Sequence, residues 1–380
     1  VKILIAIGVL RQQEAGAARV VFSHARELET RGHSVDCWFL DDILPSATGS
    51  GRFDALVFAH RVADKILQDR QKYDVVNLHA PWGCVYGLRR RFFRSQGAPP
   101  YVFTMQGSEE RAVFVMSREH RSGRAQNFAW KNRAWHRLYH QRMYDYSIRT
   151  ADYGAVANRE AWAMAQITHG REPGCVWYVP NGTEECFFLQ RDYAKREPPR
   201  LLFVGSWIDR KGIRYLAEAF GMLYDKLPDT TLSVAGCMAS EEAVKSCFAA
   251  EVRNRVRVIP FVKRPDMPAL YAAHDVFVFP SLVEGMPLTL LEAMATGMAV
   301  VTSESPGMAD LVEDEFNGLL VQPADAHGLT AAIERLCRSA DLCRRLGQEA
   351  QRTARRYTWS IVAQKLEKVL LLAAHRGAQN

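Results

Sequence analysis

Short apolar runs alternate along the chain with stretches of helical period. Lys2–Gly8 is apolar after its first residue and bounded by glycine, which predicts a buried first strand rather than a secretory leader. Ala17–Arg31 carries the helical period and stops at Gly32, the residue type that best tolerates a left-handed cap. Ser34–Leu40, Asp74–His79 and Tyr101–Met105 read as further strands, the last two ending in polar residues. These strands are apolar throughout rather than alternating. Both of their faces must then be covered, as in a parallel sheet with helices on each side.

A second series follows the polar, proline-containing stretch Gln190–Arg200. Strands are predicted at Leu201–Gly205, Thr231–Gly236, Arg257–Pro260, Asp275–Pro280 and Met298–Thr302. Helices are predicted at Ile213–Leu227, Met267–Ala273 and Pro287–Thr296, the last stopped by Gly297. The fold class is therefore α/β, with two similar, doubly wound halves. The turn signal Val179-Pro180-Asn181-Gly182 puts the boundary near residue 188, giving domains 1–188 and 189–356. A last helix, about Ser360–Ala373, follows Tyr357-Thr358-Trp359.

Residues 108–150 break the alternation. They mix Arg, Lys and His with Phe128, Trp130, Trp135, Tyr139, Tyr144 and Tyr146. The segment reads either as a long amphipathic helix packed on the first domain or as an acceptor-binding or membrane-facing surface. In the second case Leu88-Arg89-Arg90-Arg91-Phe92-Phe93-Arg94 is its companion, and contact with an anionic membrane would be reversible.

Composition narrows the class. The 380 residues suffice for two ordinary domains, and 48% hydrophobic with 24% charged residues is a globular balance. No run approaches the roughly eighteen apolar residues that span a bilayer. The eight cysteines are scattered without Cys-x2-Cys pairs or histidines at zinc-like spacing, which reads as thiols in a reducing cytosol. The net charge of +7 has no nucleic-acid-binding motif behind it. The expected location is cytoplasmic, with peripheral attachment to the inner membrane face as an option.

The chemistry concentrates in Asp275–Thr302. An apolar strand ends at Pro280, and the loop Ser281–Met286 leads into a helix that should begin at Pro287, whose missing N–H would have lacked a partner anyway. The free N–H groups of that first turn, with Gly285 allowing close backbone approach, suit an anion such as a diphosphate. Glu284 in the loop can reach a sugar at the helix start. Glu292 inside the helix can accept hydrogen bonds from a ribose diol.

This segment resembles the Glu-x7-Glu signature of retaining GT-B glycosyltransferases of family 4. Gly16 with Arg19 and Val20 resembles the glycine loop of that family's N-terminal domain, with Ala15 where a first glycine usually stands. Arg31-Gly32-His33-Ser34-Val35, Pro180-Asn181-Gly182-Thr183-Glu184, Phe203-Val204-Gly205 through Lys211-Gly212, Asn317-Gly318-Leu319-Leu320-Val321 and the Trp359 helix also resemble family segments. The resemblance implies two Rossmann-like domains facing across a cleft, an N-terminal acceptor domain and a C-terminal donor domain, with residues 357–380 crossing back to the first. It implies that Lys211 meets the donor diphosphate, Glu284 the transferred sugar and Glu292 the ribose. Gly16, Gly285, Met286, Pro287 and Leu288 would line phosphate and sugar, beside the Gly205 turn. His33 and Trp359 are expected in turn geometry and packing.

Two positions depart from the family pattern. Ser206 replaces an arginine after Gly205, so either Arg210 supplies the missing cation or donor binding changes. Gln106 stands where many members have histidine, and a glutamine cannot shuttle a proton. His79 is a further candidate in the cleft.

The implied reaction is sugar transfer from a nucleoside diphosphate, most simply a UDP-sugar, to an acceptor hydroxyl with retained configuration. Glycan, lipid and small-molecule acceptors stay open. No Asp-x-Asp pair follows a strand, so neither metal nor cofactor is expected, and Lys211 would offset the leaving-group charge. The alternatives are a GT-B nucleotide-sugar epimerase and a noncatalytic two-lobed sugar-binding protein.

Overall fold

The computed structural model describes residues 1–12, 16–45, 54–92, 97–124, 139–193 and 199–378. It divides into two units. The first comprises Val1–Glu110, Ala129–Gly182 and Trp359–Asn380, and the second Arg111–Phe128 and Thr183–Thr358. The division falls between Gly182 and Thr183, slightly before the expected position at 188.

The first unit is a six-stranded parallel sheet: β1 Lys2–Ala6, β2 Ser34–Trp38, β3 Val75–His79, β4 Tyr101–Met105, β5 Tyr153–Val156 and β6 Val176–Tyr178, in the order β2-β1-β3-β4-β5-β6. β3 and β4 are buried at every position, as continuous apolar runs require. The order reverses between β1 and β3, so the crevice beyond their carboxyl ends is where a doubly wound sheet takes its ligand. Helix Trp359–Ala378 packs on β3, β4, β5 and helix Gly16–Thr30. His33 and Arg31, in the turn after Gly16–Thr30, both reach Glu367 of that last helix, at 2.9 and 3.3 Å. His33 thus does more than shape a turn.

The second unit has the strands β7 Arg200–Val204, β8 Thr231–Ala235, β9 Val256–Ile259, β10 Val276–Phe279, β11 Ala299–Ser303 and β12 Leu319–Val321. Their order, β12-β11-β10-β7-β8-β9, is parallel throughout and reverses between β7 and β10. Helix Leu288–Ala295 is buried on nearly every face, as a helix apolar all round must be; its one charge, Glu292, is buried with it. Among the described residues no helix is long and apolar enough to cross a membrane.

Three expectations need correction. Residues 108–150 are not one long helix on the first domain. Helix Glu109–Arg121 and helix Gln141–Thr150 are separate, and the latter packs with the first unit's helix Cys84–Phe92. Arg111–Phe128 belongs to the second unit, where Tyr215 Oη donates to the buried Glu119 carboxylate at 2.6 Å. Phe128, Trp130 and Trp135 lie outside the described residues. Pro287 is the N-cap rather than the first helical residue: its ψ of 119° is extended, and its carbonyl accepts the first helical bond from Leu291. The final helix runs Trp359–Ala378, longer at both ends than predicted.

Candidate active site

The second unit's site is assembled where β7 and β10 part. β7 ends at Val204, and Gly205 follows at φ +151°, with Lys211 folding back to within van der Waals reach of the place a side chain would occupy. Asp209–Lys211 form a single 3-10 turn closed by Gly212 in the left-handed region at φ +71°. β10 ends at Phe279, and the loop after it is tied to this turn from both sides. Leu282 N donates to the Arg210 carbonyl at 2.9 Å, and the Arg210 guanidinium returns to the Val283 carbonyl at 3.0 Å. From β11's end, Ser305 Oγ donates to the Leu282 carbonyl at 3.1 Å. Gly307, at φ +84°, lies so close that a side chain there would meet the Gly285 carbonyl oxygen at 2.0 Å.

Inside this frame Glu284 Oε1 is 2.7 Å from Lys211 Nζ and 3.3 Å from Arg210 Nη1, and accepts from Ser281 Oγ at 2.6 Å. Burial pushes the Glu284 carboxyl up, but Lys211, Arg210 and the Ser281 hydroxyl together outweigh it and hold the group below the ordinary glutamate range. Burial pulls the Lys211 ammonium below its ordinary range against the attraction of Glu284. The cluster sets two basic side chains against one carboxylate, a composition that suits an anion. Lys211 Nζ also sits 5.0 Å from the Phe279 ring centre, on the electron-rich face. Ser206 is exposed beside the turn. The N–H groups of the first turn of Leu288–Ala295 open next to the loop, with Met286 and Leu288 buried.

Glu292 is held separately. Its Oε1 accepts from Arg264 at 2.8 Å and its Oε2 from Tyr271 Oη at 3.0 Å. The same guanidinium also bonds Glu184 and lies 4.6 Å from the Phe187 ring centre. Sequence reasoning missed Ser281, Arg264 and Tyr271 as site groups, and placed Glu184 only in a segment that resembles the family's. Arg264 stands beside a proline in a polar stretch, which looks like an ordinary solvated turn.

In the first unit Gly16 opens helix Gly16–Thr30, His79 ends β3 and Gln106 follows β4, all at the carboxyl edge of the sheet. A side chain at Gly16 would meet no atom within 4 Å. His79 is fully buried; its Nε2 has no partner, and burial followed by the nearby His24 drives it down to about 3. His24, also buried with an unpaired Nε2, is driven down to about 4. Gln106 is half-buried. Among the described residues no group of three or more His, Cys, Asp and Glu is arranged to hold a metal ion.

Two six-stranded parallel sheets, each reversing its order once and covered by helices, define the GT-B fold, and solved structures of that class superpose over nearly the full chain. Sucrose-phosphate synthase from Thermosynechococcus elongatus matches with a TM-score of 0.78 over 100% of both chains at 18% identity. Anabaena Alr3699/HepE in complex with UDP-glucose matches with a TM-score of 0.71 at 18% identity, covering 98% of this chain and 99% of that one. Residues 188–353 match the family model described as glycosyl transferases group 1. Among curated relatives, the Campylobacter jejuni N,N'-diacetylbacillosaminyl-diphospho-undecaprenol alpha-1,3-N-acetylgalactosaminyltransferase is 29% identical over 192 residues, 50% of this chain and 49% of the relative. The chain spans about half the length of such relatives or less.

Proposed function

We propose that this protein is a glycosyltransferase that moves a sugar from a nucleoside diphosphate, with UDP the favoured carrier, to a hydroxyl of a saccharide acceptor with retention of configuration. The observation that carries the reading is the Lys211–Glu284–Arg210 cluster at the β7/β10 switch point, inside the segment that matches the family. The donor diphosphate takes the first turn of Leu288–Ala295 and the amides beside Gly285. Lys211 and Arg210 supply the positive charge, so Arg210 makes good the arginine that Ser206 replaces. Glu284 holds hydroxyls of the transferred sugar and Glu292 those of the ribose. A UDP-glucose complex of a structural neighbour and a relative named for a lipid-linked acceptor support this substrate class.

The bond between the anomeric carbon and the diphosphate oxygen breaks, and the electron pair leaves with the diphosphate. Lys211 and Arg210 stabilise that charge without a metal. The acceptor oxygen attacks the oxocarbenium-like carbon from the same face, and its proton passes to the departing phosphate oxygen. His79 is neutral at the edge of the first sheet and Gln106 carries no titratable proton, so on this reading both position hydroxyls. Reversible attachment to the inner membrane face through the Arg89–Phe92 segment would bring a lipid-linked acceptor within reach; Phe92 is 73% exposed.

The test is product analysis with UDP-sugars and saccharide acceptors. Free UDP with a new glycoside of the donor's anomeric configuration supports the reading. A rearranged nucleotide sugar with no glycoside would instead identify an epimerase, and an inverted product would remove retention.

A further inference from the structure

The Glu292 carboxylate is not free to choose its own orientation. It sits in an otherwise apolar helix, 1% exposed, with each oxygen claimed by a different partner. We propose that Arg264 is a positioning residue for the nucleotide ribose, acting through Glu292 and anchored by Glu184. The inference rests on the ribose-binding reading of Glu292 given above.

Three features carry it. First, Arg264 holds Oε1 and Tyr271 holds Oε2, so the carboxylate is fixed in orientation. A diol needs such a fixed pair of acceptors. Second, the guanidinium is itself held. It stacks on the fully buried Phe187 and bonds Glu184, so its fork cannot swing away from Glu292. Third, taking a carboxylate out of water is costly unless an opposite charge meets it, and Arg264 pairs with Glu292 at 2.8 Å. Arginine suits this task better than lysine because its planar fork serves two carboxylates at once.

The experiment is calorimetric titration of the full chain with a nucleoside diphosphate and with its counterpart lacking both ribose hydroxyls. The base used is whichever of UDP, GDP and ADP stabilises the wild-type protein most. Wild type should prefer the ribose form by about 10- to 100-fold, the worth of hydrogen bonds to a charged group. Arg264→Gln should reduce that preference to about threefold or less, mainly by weakening the ribose form, and Arg264→Lys should restore part of it. Glu292→Gln combined with Arg264→Gln should lose little beyond either alone. Full preference retained in Arg264→Gln, or equal weakening of both ligands, overturns the inference while leaving the functional reading intact. Wild type binding both forms equally overturns the Glu292 reading as well. Where Arg264→Gln fails to fold, Arg264→Lys decides by the same criterion: undiminished preference overturns the inference.

Discussion

A side chain on Gly212 would place its first carbon 1.9 Å from the Pro280 carbonyl oxygen. The two residues belong to the loops after β7 and β10, and this contact lets the Arg210–Lys211 turn lie directly against the strand end that leads to Glu284. Gly212 also has φ +71°, a region that costs other residues roughly 1–2 kcal/mol. Gly212→Ala should therefore push the two loops apart, destabilising the second unit by about 3 kcal/mol or more and abolishing donor binding. Denaturant unfolding and nucleotide titration of the variant check both effects.

Lys211 and Glu284 form a buried pair, so removing one partner strands the other. Glu284→Ala should cost about 3–5 kcal/mol of stability, measurable by denaturant unfolding. Lys211→Ala should lower kcat by about 100- to 1000-fold, because its charge is needed most when the diphosphate departs. Glu292→Ala should instead act chiefly on the donor KM, raising it about 10- to 100-fold. Steady-state kinetics with varied donor separates the two patterns.

The first unit should be sensitive to acid. His24 and His79 fall from 6.5 to about 4 and about 3, by burial first. Below pH 6.5 the unfolded chain binds protons that the folded chain refuses, so stability rises with pH across this window. It is fully present above pH 6.5 and is lost as pH falls towards about 4 and then about 3. Each histidine contributes a slope of up to about 1.4 kcal/mol per pH unit. Unfolding curves between pH 7 and 4 should show it, and His24→Gln should flatten the dependence.

Tyr215 donates to a Glu119 carboxylate that is only 7% exposed. Tyr215→Phe should cost about 1–3 kcal/mol, since it leaves that carboxylate short of a partner. Tyr215→Phe with Glu119→Gln should cost less than the sum of the single changes, and a double-mutant cycle measures the difference.

Much of this architecture can be read from residue pattern. The apolar strands were legible because a strand covered on both faces must be largely apolar along its length, and their ends fall within a residue or two of prediction. Glu284 and Glu292 stood out through their setting, a loop after an apolar strand and the interior of an apolar helix, and the structure pairs Glu284 with Lys211 and Glu292 with Arg264. β5 and β6 were not legible: Tyr153–Val156 and Val176–Tyr178 are too short to show a period, and Gly154 weakens the first. Arg264 and Tyr271 escaped because their task is set by long-range contacts, 28 and 21 residues from Glu292. The place of Glu109–Arg121 escaped for the same reason: amphipathicity reports that a helix has an apolar face, not which unit covers it.

The central claim is that a nucleoside diphosphate binds against Lys211 where β7 and β10 diverge. The most direct measurement is the thermal unfolding midpoint of wild type and Lys211→Ala with UDP, GDP and ADP. At about a hundred times its Kd, one of the three should raise the wild-type midpoint by about 5–10 °C and the variant's by far less. No shift with any of them, or an equal shift in both proteins, would contradict the account.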